Sequence, residues 1–355
     1  MAAMTLEVAH WNALLRLPED SSPRLVAAAV LRVIGATGFA ALFGFWLGGA
    51  LGGVVASATA MLVTLGDVGA TRRSRVGNMV LATLALAAGG ILGSIVGGTT
   101  YADEAVVLAA ALVSGWVAAS HPGISLDARN FAMGTAVGAG IHFTQPALIG
   151  FALAGGGIAL ASAFASWRIG GLPPQVDIMD WRAGIRRALS GEGSGARFAA
   201  CYALSVAAAL LAADLMRVKE PYWAAMVVIA VMRREGRVSL RINAQYMAGT
   251  LAGVAIAALV AHVLSGPVAL IGIGCVFAAL ARPGLALHPT IGFAGFTVFF
   301  VLLIDVGLKA LGLAGNVFTA RIYDTLVGCG LAAVGTLIAG RVAPEALQNA
   351  VRPPA

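Results

Sequence analysis

The sequence predicts an all-α polytopic membrane protein of about twelve transmembrane helices, arranged as two parallel six-helix repeats. Three observations carry that expectation. Hydrophobic residues make up 59% of the 355-residue chain and charged residues only 11%, with a mean hydropathy of +0.90; soluble domains carry about 25% charge. Apolar runs recur from Leu25 to Gly340, so the bilayer acts as solvent for most of the chain. A His-Pro pair occurs twice at an offset of 167 residues, as His121-Pro122 and His288-Pro289.

Apolar runs bounded by charge, Gly or Pro place six spans near residues 25–45, 46–65, 76–98, 105–120, 130–143 and 147–166. Six more fall near 197–216, 221–232, 240–264, 267–281, 288–306 and 319–340. The expected domains are therefore a cytoplasmic segment 1–24, a first repeat 25–166, a linker 167–196, a second repeat 197–341 and a cytoplasmic tail 342–355. The first 24 residues hold no apolar core followed by a small-residue cleavage site, so the first span is expected to serve as an uncleaved signal. The linker, "WRIGGLPPQVDIMDWRAGIRRALSGEGSGAR", combines Pro, Gly and charge and reads as a surface segment with one short amphipathic helix.

Placing the amino terminus in the cytoplasm sends "ATRRSR", "HPGISLDARN", "MRREGRVSLR", the linker and the carboxyl terminus to that side. It then receives 18 of the 23 Lys and Arg residues, which is the orientation that the positive-inside rule selects. Arg217, Lys219, Lys309 and Arg321 fall outside, with the acidic "YADE" loop, and Arg32 lies within a span. The offset of 167 also sets Thr83–Ala85 on Thr250–Ala252 and Asn78 on Gln245. Six spans per half is an even number, so the repeats share one orientation, related by an axis along the membrane normal.

The formal charge of +7 does not indicate a nucleic-acid partner, because the basic residues sit in short loops between apolar runs and not on one soluble face. Arg72, Arg73, Arg75, Arg233, Arg234, Arg237 and Arg241 form matching basic loops that topology explains, with anionic membrane lipids as a second partner. Cys201, Cys275 and Cys329 each lie in an apolar run and read as buried thiols, with no CxxC metal spacing. No cofactor fingerprint, metal motif or catalytic constellation is present in the sequence, so the expectation is a non-enzymatic protein with no cofactor. Strings such as "GGALGG" and "AAGGILGSIVGG" have small-xxx-small spacing and suit close helix packing in lipid.

The second half carries "KEPYWAAMVVIAVMRREGRVSLRINAQYMAGTLAGVAIAALV" and "ARIYDTLVGCGLAAVGTLIAG". A Pro-Tyr-Trp opening of a short span, a basic loop, a Gly-Thr followed by Gly, and an Arg…Asp-Thr…Gly opening of the last span resemble the fusaric acid resistance and aromatic acid exporter family of bacterial inner-membrane proteins. The resemblance covers roughly residues 197–341. It implies efflux of small organic anions, aromatic carboxylic acids in particular, from a bacterial inner membrane, by a short form without the large cytoplasmic domains of longer members. A passive anion channel and a non-transporting scaffold or accessory subunit are the alternatives. Homo-oligomerisation and an envelope-spanning partner stay open. Tyr246 stands where the family often has an arginine, and the first half has Ala154 and Gly157 where Arg321 and Asp324 would repeat.

The candidate substrate-binding residues are Arg321, Asp324, Tyr222, Trp223, His288 and His121. Arg321 and Asp324 are three residues apart at the opening of the last span, where helical spacing lets them pair, with Thr319 or Asn316 as cap. Either they form an interfacial ion pair, or Arg321 offers its planar fork to a carboxylate while Asp324 holds the guanidinium or carries a coupling proton. Tyr222 and Trp223 read as an aromatic belt or as a stacking wall. His121 and His288 precede prolines at helix starts, as polar caps or as proton or carboxylate sites.

Overall fold

The computed structural model describes residues 23–341 apart from short stretches at 70, 98–100, 119–121, 142–145, 173–184, 187–188, 191–194, 217–221, 235 and 313–315. The described residues form eleven helices: α1 (Pro23–Leu65), α2 (Arg72–Val96), α3 (Ala102–Val117), α4 (Pro122–Ile141), α5 (Pro146–Gly170), α6 (Ala196–Leu215), α7 (Tyr222–Val231), α8 (Gly236–Val263), α9 (Pro267–Leu287), α10 (Pro289–Ala310) and α11 (Val317–Arg341). The fold is all-helical, and eight of these helices are long and apolar enough to cross a membrane. That number is smaller than twelve for identifiable reasons. The two expected spans 25–45 and 46–65 lie in one helical element, α1. At ~1.5 Å per residue, α3 and α7 are too short for a hydrocarbon core about 30 Å thick. The first half of α4 carries Asp127, Arg129 and Asn130, which lower its apolarity.

Helix α1 is not straight. Arg32 and Asp67 are ion-paired across 35 residues, a separation that would span ~52 Å in a continuous helix. The chain reverses at Gly48 and Gly49, where Gly49 takes φ 63° and ψ −157°. That backbone region is open only to glycine without a large steric cost. The two arms then close on each other so tightly that a Cβ at Gly44 would fall on the carbonyl of Gly52. The "GGALGG" string is thus a hairpin corner as well as a packing surface.

Elsewhere glycine sets helix separation. On α2, Gly89 and Gly93 lie against the backbone of α4 at Phe131 and Thr135. On α8, Gly249 and Gly253 lie against α10 at Thr290 and Ala294. Lipid gives no hydrophobic drive for helix association, so such close van der Waals approach has to supply it. The buried core divides into three apolar groups. One gathers α3, α4, α6, α7 and α11 around Tyr202, Ile229 and Met232; a second gathers α1, α8, α9 and α10 around Phe299 and Leu302; a third gathers α1, α2 and α5 around Met79 and Trp167.

The basic loops are not all surface features. Arg75, expected in an exposed topology-setting loop, is fully buried on the first turn of α2. Asp67 accepts from Arg32 Nη1, from Arg75 Nη1 at 3.1 Å and from Trp167 Nε1 at 3.4 Å. Arg75 Nε also donates to the Gly69 carbonyl at 2.7 Å, and Asn78 Nδ2 to the Val68 carbonyl at 2.6 Å. One carboxylate therefore ties α1, the α1–α2 connection, α2 and α5 together. Arg72 and Arg73, by contrast, are exposed.

Asp67→Asn should be strongly destabilising, by about 3–5 kcal/mol, because it leaves two buried guanidinium groups without their counter-charge. Asp305→Asn, which breaks the ion pair to the solvent-exposed Lys309, should cost about 0–1 kcal/mol. Denaturation of the two purified variants in the same detergent compares them directly, and equal losses would contradict the assignment.

Candidate functional site

Helix α7 has ten residues and rises only ~15 Å, about half a hydrocarbon core. It ends at Val231 inside the protein. Arg233, just beyond, does not extend outward to water: it is buried, donates from Nη1 to the Met232 carbonyl at 3.0 Å, and its backbone N–H donates to Ser239 Oγ at 3.0 Å. Arg234 is exposed. At the other end of α7, Tyr222 donates its hydroxyl proton to Asp103 Oδ2 at 2.6 Å, which joins α7 to the start of α3. Tyr222 is therefore committed to a helix-to-helix bond, whereas Trp223 faces the last helix.

Arg321 sits in the second turn of α11. Its start is capped by Asn316, whose Oδ1 accepts from the Thr319 N–H at 3.2 Å. The expected pairing of Arg321 with Asp324 does not form. The guanidinium instead lies over the Trp223 ring, 5.2 Å from its centroid, and donates from Nη2 to the Tyr246 hydroxyl at 2.8 Å. Both contacts suit a guanidinium, whose flat face stacks on indole and whose edge donates. Three residues along the helix Asp324 is buried, 3% exposed.

Tyr246 belongs to α8 and packs edge-to-face on Phe293 of α10, with centroids 5.3 Å apart. Its hydroxyl accepts from Arg321, so its own proton stays available for donation. Arg321 Nη1 is buried and has no hydrogen-bond partner. A cationic N–H and a phenolic O–H thus stand side by side with capacity to donate, beside an indole face. A carboxylate presents two acceptor oxygens to such a pair of donors. Among the described residues, no group of His, Cys, Asp and Glu is arranged to hold a metal ion.

The comparisons with known proteins bear on this same region. Residues 207–335 match the family model described as fusaric acid resistance protein-like. The second half carries a fusaric acid resistance protein-like domain. The match covers about a third of the chain and contains Trp223, Asn243, Tyr246, Phe293, Arg321 and Asp324. No curated protein and no solved structure matches the chain.

Of the six residues expected from sequence, Arg321 and Trp223 are brought together in this domain, with Asp324 on the same helix. His288 stands elsewhere, exposed at the break between α9 and α10, where its Nδ1 accepts from the Thr290 N–H at 3.3 Å as a helix cap. His121 lies outside the described residues. Tyr246 and Phe293 were missed as site residues. The signal for Tyr246 was present in the sequence as the aromatic in place of a familial arginine, whereas Phe293 has no local mark that separates it from other apolar residues of its span.

Tyr246→Phe should preserve the ring contact with Phe293 and remove the acceptor for Arg321 Nη2. The expected loss is about 0.5–1.5 kcal/mol, the net worth of one part-buried hydrogen bond, read as a lower thermal midpoint than wild type in detergent.

Proposed function

We propose that the protein is a secondary exporter of small organic anions, aromatic carboxylic acids in particular, which bind at Arg321 between Trp223 and Tyr246. The observation that carries this reading is the Arg321 guanidinium, held by an indole and a phenol with Nη1 buried and unpartnered. An ionisable group maintained inside a membrane protein marks a substrate or ion path by default. The family match supports transport as the class of activity, since the matched segment contains the whole cluster. Asp324 carries the coupling proton in this reading, from a buried position one turn along α11.

The architecture proposed for this activity is twelve spans in two parallel six-helix repeats, residues 25–166 and 197–341, joined by a cytoplasmic linker 167–196. The reversal within α1 supports it by making two arms of one element. Helix pairing supports it as well. The pairs α2–α4, α3–α4 and α2–α5 have counterparts in α8–α10, α9–α10 and α8–α11. Contacts of α1 with α5 correspond to those of α6 and α7 with α11. Between the halves, α3–α6 corresponds to α9–α1, and α4–α7 to α10–α1, which is the reciprocity that a two-fold axis produces. Glycines repeat the theme: Gly155 of α5 lies over the carbonyl of Ala56, and Gly328 of α11 over that of Ala224.

The binding role is tested by flux into proteoliposomes with a panel of aromatic and aliphatic carboxylates. Arg321→Lys should remain folded and lose at least tenfold in carboxylate flux, because an ammonium offers no planar pair of donors. Wild-type flux in that variant would exclude the role. Dependence on a proton gradient, lost in Asp324→Asn, distinguishes the exporter from a passive channel; no flux for any substrate leaves a scaffold.

Both termini and the linker are assigned to the cytoplasm on the distribution of basic residues. In whole cells an impermeant thiol reagent should label a cysteine introduced at Asp103 and spare one at Gly184. The opposite pattern would invert the topology.

A further inference from the structure

Asn243 lies on α8 three residues before Tyr246, so the two side chains share a helix face with Cβ atoms ~5–6 Å apart. It is buried, 6% exposed, and its Nδ2 donates to the Cys329 carbonyl of α11 at 2.6 Å. That bond fixes the amide orientation, since a carbonyl can only accept, and the Nδ2 end must face it. The other end, Oδ1, is buried without a hydrogen-bond partner. Cys329 belongs to α11, the helix that carries Arg321, so Asn243 and Tyr246 both bond to α11 from one face of α8.

Two unfilled groups of opposite character therefore occur where α8 meets α11: a donor, Arg321 Nη1, and an acceptor, Asn243 Oδ1. Buried polar groups in folded proteins are nearly always partnered, and each exception calls for an explanation. We infer that Asn243 is a specificity-determining residue of the anion site, accepting a hydrogen bond from a hydroxyl or amino group on the ring of an aromatic carboxylate held by Arg321. The inference rests on the carboxylate reading of Arg321 and extends it from the charge of the substrate to its substitution. The ligand carries an acceptor group at one end for Arg321 and Tyr246, and a donor at the other for Asn243. The Trp223 ring lies against Arg321 and the Phe293 ring against Tyr246. A ligand that brings the donor fills this acceptor and gains one hydrogen bond that a ligand lacking it does not make.

The test measures affinity for benzoate and for the three hydroxybenzoates, with the hydroxyl at ring position 2, 3 or 4, on the full-length protein in detergent. One position should bind roughly three- to tenfold tighter than benzoate, the range expected of one net hydrogen bond. Asn243→Leu, with its folding checked by gel filtration and thermal midpoint in detergent, should erase that preference; Arg321→Ala should abolish binding of all four. Wild-type binding of benzoate that depends on Arg321, with no preference among ring positions, would overturn the role of Asn243 and leave the carboxylate site standing. A preference that survives Asn243→Leu would overturn it too. Failure of all four ligands to bind would refute the carboxylate site itself and this inference with it.

Discussion

A guanidinium inside a membrane protein has no water to solvate it, so each buried arginine dictates what must surround it. Among the described residues, two arrangements around buried arginines can be compared with one around the part-buried Arg321. Arg32 and Arg75 share the carboxylate of Asp67, and together they hold α1, α2 and α5 in one arrangement. Arg233 is stabilised in part by the Met232 carbonyl at the end of a helix that stops half-way across. Arg321 has an indole face and a phenol oxygen and keeps one donor in reserve. The first two arrangements build the fold. The third lies in the half that matches the fusaric acid resistance protein-like family.

The surroundings of Arg321 depend in turn on how closely helices approach. Gly328 brings α11 against α7 at Ala224 and Val227, one turn beyond Trp223. Gly249 brings α8 against α10, which sets Tyr246 on Phe293. A methyl group at either glycine would collide with neighbouring backbone or side chain, with contacts below 3 Å. The site is therefore positioned by residues that have no side chain, through van der Waals contact that replaces the missing hydrophobic drive between helices in lipid.

Much of the helix layout was legible in the sequence. The helix starts at Pro122 and Pro289, the short α7 and the cap at Asn316 follow from local rules, because proline, glycine and amide side chains act on the backbone within a few residues. Less of the candidate site was legible. Arg321 and Trp223 stood out as a charge in an apolar run and an aromatic at its mouth. Spacing alone suggested Asp324 as the partner of Arg321, since residues three apart on a helix face one way. A long guanidinium stem reaches beyond its own helix, however, and here it crosses to Tyr246, 75 residues away in sequence.

By itself the sequence determined that the chain is an all-helical, multi-pass membrane protein, because composition and the length of apolar runs decide which solvent a segment can tolerate. It also determined which half carries the family's features. The tertiary structure alone decided which arginines meet a carboxylate and which meet aromatic side chains. Arg75 and Arg321 look alike in sequence, each an arginine near the start of an apolar helix. One is saturated by Asp67 and Gly69 from a neighbouring turn of the chain, and the other keeps Nη1 unmatched beside Trp223 and Tyr246. The difference is set by which helices meet, a property of packing that no local pattern encodes.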